Sequence, residues 1–283
     1  MYFKKCLKAL VYNKLYVFYA LLTGLSSLVI PLTVQFLVNN LALSGIWANI
    51  VSFLIFVSIL LGLSQIFRYS QIVIKESLLR QIFRDELVLW QVNDNSKKAQ
   101  YYFEIHNLLK SFSKTYAELI EMGLISLFGL LTLVVFHPAF LFVLVLFGVS
   151  GFYIYKLFSP SIRTSIQESN EKYHLYDRIR ENQGLSNEDT LKYITRRDSH
   201  FHFIKNIALA VGIVQMLSQV FVLVIGCLLI YNQQLSVGQL VAAEIIISGI
   251  GQAIYKLPNS LESLFDFETS HYKLVKALSA GAE

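Results

Sequence analysis

One acidic side chain, Glu244, lies deep within an apolar stretch, Val237–Leu257. A carboxyl at such a position costs about 3 kcal/mol in hydrocarbon unless it meets water, a partner or a cation. At roughly 100° per helical residue, Glu244, Ser248, Gly251, Gln252 and Tyr255 share one face, and Glu262 and Asp266 continue it. Such a stripe suits the lining of a polar pathway. It equally suits a protonated or hydrogen-bonded group between helices, or an interfacial position near one leaflet. A second stripe, Gly212, Gln215, Ser218, Gln219 and Gly226, occupies the preceding apolar run. Glutamines four residues apart can hydrogen-bond across helices for about 1 kcal/mol or less each, so helix packing and substrate contact both fit. Gln35 is a weaker candidate of the same kind.

Other chemistry finds little support. His200 and His202, two apart on a helix, point to different sides, and no metal site is expected. Cys6 and Cys227 form neither a disulfide framework nor a zinc pattern. No Gly-x-x-x-x-Gly-Lys-Ser/Thr occurs, so no phosphate-cradling loop of that type is present. With no arrangement for nucleophilic or acid–base catalysis either, the expectation is that the chain is not an enzyme.

The stripes need elements to hold them. Hydrophobic residues make up 55% of the 283 positions and charged ones 15%, well below the ~25% charge of average soluble proteins. Mean hydropathy is +0.53. A bilayer-spanning helix needs about 20 mostly apolar residues. Six segments are expected to qualify: 15–38, 47–67, 117–136, 139–158, 207–231 and 237–257. Pro138 suits a tight turn between the third and fourth. The lysines before the first span resemble a signal-peptide n-region, but the apolar stretch is too long for one.

Basic residues give an orientation. The loops 39–46, 137–138 and 232–236 contain no Lys or Arg, and all 24 basic residues fall on the opposite side. By the positive-inside rule both termini are cytoplasmic, in a multi-pass protein of the cell membrane. The net charge of +5 then serves topology, and no nucleic-acid partner is implied.

The inner segments continue with helical periodicity. Ile72, Leu79, Ile82, Phe83 and Leu87 recur between charged residues, with no glycine or proline from Leu63 to Trp90. As one helix, Trp47–Trp90 is about 66 Å long, roughly twice the ~30 Å hydrocarbon core. The fourth span can continue through Ser161–Glu181, and the fifth is expected to start near Asn187 or Glu188, where carboxylates favour a helix N-terminus. Two breaks, 91–96 and 182–187, would reverse the chain far from the bilayer. They read either as short helices offered to a soluble partner or as exposed loops.

These features resemble the transmembrane domain of type I ABC exporters. Gln234–Ala243 (QLSVGQLVAA) is similar to the family's short outer turn and the start of its sixth helix. Leu257-Pro258 and the pattern to Leu278 resemble the inner extension of that helix. Leu79–Phe83 resembles a segment of the second helix, and Ile30-Pro31-Leu32 one of the first. Two departures stand out. The first inner segment reads Tyr101–Asn107 (YYFEIHN) without the family's glycine, and the sequence reaches Glu283 where a fused exporter would begin its nucleotide-binding domain.

The resemblance implies an all-α, six-helix half-transporter forming a single domain over 1–283. Glu244, Ser248, Gln252, Gln215, Gln219 and Gln35 would line an alternating-access pathway. The turns holding Asn93, Asp94, Asn95 and Gln183, Gly184, Leu185, Asn187 would couple to a separate ATPase subunit. ATP and magnesium would bind that partner, and a second transmembrane half would complete the cavity. The alternative is an exporter-like scaffold or regulator that has lost coupling.

Overall fold

A computed structural model describes residues 14–44, 47–89, 95–153, 156, 167–168, 171, 178 and 187–280. Every element among them is helical: α1 Lys14–Ser26, α2 Val29–Ser44, α3 Trp47–Leu89, α4 Asn95–Phe136, α5 Pro138–Tyr153, α6 Asn187–Tyr231, α7 Val237–Ile254 and α8 Leu257–Ala280. Five stretches are long and apolar enough to cross a membrane: Lys14–Asn40, Val51–Gln81, Glu104–Phe136, Asn187–Tyr231 and Val237–His271. The chain thus has the helices of a multi-pass membrane protein. The expected fourth span, 139–158, appears as the shorter apolar helix α5. Of its last five residues only Lys156 is described.

Proline sets the breaks. Pro31 cannot donate to the Ser27 carbonyl, and the first span is divided at Ser27-Leu28. Pro258 does the same to Ile254, dividing the sixth at Tyr255-Lys256. Pro138 opens a 3-10 turn in which His137 Nδ1 accepts from the Ala139 N–H at 3.1 Å, as expected of a tight turn. Helices α3, α4 and α6 run unbroken for 43, 42 and 45 residues, about 63–68 Å each. The expected long second helix is therefore observed, ending at Leu89. The third span proves to be the end of an equally long rod, and Tyr101–Asn107 lies inside it. Helix α6 starts at Asn187, with Glu188 and Asp189 in its first turn.

The loop expected after the first span differs from expectation. Asn39–Ile46 was expected to be loop, but α2 continues to Ser44. The reason lies across the interface. Asn39 Oδ1 accepts from the Gly238 N–H at 3.1 Å, and its Nδ2 donates to Ser236 Oγ at 3.1 Å. Ser236 and Gln239 form a capping box with each other. Asn39 thus satisfies one N-terminal donor of α7, the Gly238 N–H, which has no helical acceptor, and α2 must persist far enough to deliver it.

Packing falls into three clusters. Leu133, Phe140, Val222, Ile246 and Ile247 join α4, α5, α6 and α7. Tyr16, Ile105, Phe112 and Phe267 join α1, α4 and α8, with the Phe112 and Phe267 rings 5.5 Å apart. Ile207, Val211, Leu261 and Phe265 join α6 and α8.

Candidate functional site

The break between α1 and α2 leaves room beside α7. A cavity of about 740 Å³ occupies it, within the 300–1,000 Å³ usual for small-molecule sites. Its first wall is the break itself, Ser27, Leu28, Ile30 and Pro31; Ile125 and Gly129 of α4 form a second. Gln219 and Leu223 come from α6, and α7 contributes the longest wall, including Glu244, Ser248 and Gln252. The walls are mostly apolar, with these few polar groups converging on them.

Glu244 is the outlier in this lining. Its Oε1 is buried and has no hydrogen-bond partner among the described residues. No Lys, Arg or His is among the described residues that line the cavity. The position is seven residues into α7, about 10 Å from the helix start. An interfacial carboxylate would reach headgroups or water; this oxygen reaches neither a protein donor nor the surface.

Glycine shapes the same helix in two ways. At Gly249, which lines the cavity, an added Cβ would meet nothing within 4 Å. At Gly251, on the helix's packed side, an added Cβ would lie 2.5 Å from the Gln215 side chain. Gln215 is therefore packed against the α7 backbone, and it is absent from the cavity walls. Ser218 is fully buried and donates to the Val214 carbonyl at 2.7 Å.

The six sequence candidates divide accordingly. Glu244, Ser248, Gln252 and Gln219 meet at one cavity. Gln215 belongs to a helix interface. Gln35 lies outside the lining as well; its carbonyl oxygen would sit 2.6 Å from a Cβ at Gly238, which marks a tight α2–α7 contact. Tyr255, Glu262 and Asp266 are exposed and take no part.

Of the expected coupling residues, Asn93, Asp94, Gln183, Gly184 and Leu185 lie outside the described residues. Asn95 opens α4 and Asn187 opens α6. Both mark the first residue of a rod that exceeds the hydrocarbon core by about 30 Å or more. Close by, Arg178 pairs with Asp189, and Arg197 reaches Glu168 at 3.2 Å. These contacts tie the chain after α5 to the extended part of α6.

Residues missed from sequence supply a polar layer at the ends of the spans away from the cavity. Gln71 Nε2 donates to the Tyr16 hydroxyl at 3.3 Å, and Thr23 lies 3.5 Å from Gln71 Oε1. All three are buried. On the other side Ser260 donates to Glu118 at 2.5 Å, and Arg68 lies 3.7 Å from Glu121. Glu121 thus has a basic partner, whereas Glu118 takes a serine. Nothing in the spacing of Tyr16, Thr23 and Gln71 announces their meeting, because it depends on how α1 lies against α3.

No family model matches the chain, and no curated protein matches it either.

Proposed function

We propose that the chain is the transmembrane subunit of an ATP-driven exporter of the type I ABC kind. It forms half of an alternating-access pathway, and ATP hydrolysis is assigned to a separate subunit that binds ATP and magnesium. The observation that carries this reading is the length of α3, α4 and α6. Three unbroken rods of 42–45 residues are about twice what a bilayer requires. A helix that only anchors a protein has no use for the surplus, whereas a lever needs it.

The cavity lies at the end of these rods away from Asn95 and Asn187. In this reading, force applied at the inner turns travels along the rods to walls that include Glu244, Ser248, Gln252 and Gln219. The basic residues gathered near Asn95 and Asn187 support a cytoplasmic position for those turns and for both termini. A second transmembrane half closes the pathway, and lipid surrounds the pair.

Gentle extraction followed by native mass spectrometry tests the assignment. The expected complex contains two transmembrane halves and an ATPase, and it loses the ATPase when Gln183–Asp189 is replaced by a glycine–serine linker. Recovery of the chain with no ATPase under conditions that keep other exporters whole would favour the scaffold reading instead.

A further inference from the structure

We propose that the corner between α1, α3 and α4, around Arg68, holds the phosphate headgroup of an anionic membrane lipid. The exporter reading is not needed for this; it is enough that the long helices cross a bilayer.

The ion pair between Arg68 and Glu121, 3.7 Å apart, fixes the relative height of α3 and α4. The two helices run in opposite directions, so seven residues forward along α3 and seven back along α4 descend equally. Those steps reach Lys75 and Lys114, each about 10 Å below the pair and on the same helical stripes as Arg68 and Glu121. Ile74 and Leu79 pack against the cluster of Tyr16, Leu108 and Phe112, which keeps α3 beside α4 over these turns. The Gln71–Tyr16 hydrogen bond brings the start of α1, with Lys14, to the same height. Four cations thus gather at one level. The carboxylates nearby do not balance them: Glu121 faces Arg68, Glu118 accepts from Ser260, and Glu76 is matched by Arg80 at 3.0 Å. Lys14, Lys75 and Lys114 have no ion-pair partner among the described residues. Lys14, Arg68 and Lys114 are exposed, and Lys75 is half-buried.

Height decides the partner. Arg68 is the first charge after the apolar run 47–67, so it stands where hydrocarbon meets headgroups. Tyr69 beside it is 68% exposed, as an interfacial aromatic would be. Ile66 and Ile72, on either side, are exposed apolar side chains. A soluble acidic protein would have to displace lipid from these residues. A phospholipid brings its acyl chains to them and its phosphate to the cations. The guanidinium of Arg68 suits a phosphate through two N–H groups, and the lysines add point charges. Each cation beside an anionic headgroup is worth about fivefold in affinity.

Native mass spectrometry of the full chain in detergent provides the test. The chain is titrated with phosphatidylglycerol or with phosphatidylcholine of the same acyl chains, and the affinity of the first bound lipid is read. Phosphatidylglycerol is expected to bind roughly tenfold tighter, with a margin that shrinks as ammonium acetate is raised. Lys75→Gln combined with Lys114→Gln should weaken its binding roughly 25-fold, and Lys75→Arg with Lys114→Arg should retain it. Glu121→Gln should tighten it about fivefold, a gain that no folding defect imitates. Lys192→Gln with Arg196→Gln removes the same charge from exposed positions on α6, about 16 Å or more from the apolar run that begins at Ile207, and should change nothing. Equal affinity for the two lipids overturns the proposal. So does an equal loss in the α6 variant, no loss in the Lys75 and Lys114 variant, or no gain in Glu121→Gln. Displacement of the lipid by glycerol 1-phosphate would mark a site for free phosphate and overturn it as well.

Discussion

Helices α3 and α7 are both strongly apolar, yet they occupy opposite situations. Ile55, Phe56 and Ile59 of α3 are each 57% exposed, while Ala242, Ala243 and Ile247 of α7 are 0% exposed. In water the larger side chains would be driven inward. In lipid that drive between helices is absent, and close packing and polar contacts decide which helix goes inside. Helix α7 offers Gly238, Ala242, Ala243, Gly251 and Ala253, small residues that let α2, α4 and α6 approach. Helix α3 offers bulk that lipid accommodates. Gln71 of α3 enters the polar layer with Tyr16 and Thr23.

Substitutions can break this contrast, beginning where the backbones are nearest. Gly238→Val should cost about 3 kcal/mol, because a Cβ there would lie 2.6 Å from the Gln35 carbonyl oxygen and 2.5 Å from Asn39 Oδ1. The unfolding midpoint in SDS–detergent mixtures reads the effect, and a change under 1 kcal/mol would mean that α2 yields easily. Glu244→Met tests the inside of the same helix. It removes an unsatisfied buried oxygen, so it should raise stability by about 1–2 kcal/mol. A loss of stability would show that the carboxyl has a structural partner. The smallest effect belongs to the other helix. Ile55→Ala on α3 should change the midpoint by less than about 0.5 kcal/mol, and a larger cost would reveal a protein neighbour where lipid is expected.

The same contrast explains what could be read from sequence. Apolar runs and proline positions locate the spans, because bilayer thickness and the missing proline N–H act on any neighbouring structure. The helical continuation from Leu63 onward is legible for a similar reason, since periodicity and the lack of glycine or proline are local properties. Which face of a span touches protein is different, because Leu and Ile suit lipid and core alike. Spacing placed Gln215 and Gln219 on one stripe, yet one packs on Gly251 and the other lines the cavity. Only the lateral arrangement of α6 and α7 separates them. Asn39 was hidden in the same way, as its partners Ser236 and Gly238 lie about 200 residues away in the chain.

The proline breaks give the bundle two kinds of member. Helices α3, α4 and α6 are continuous struts, able to carry a push from one end to the other. The first and last spans are jointed, and α2 and α7 are pinned together by Asn39. Each joint lacks one helical hydrogen bond, so the backbone of these two spans is least constrained at Ser27-Leu28 and Tyr255-Lys256. The cavity sits against one of these joints, with Ser27, Leu28 and Pro31 in its wall.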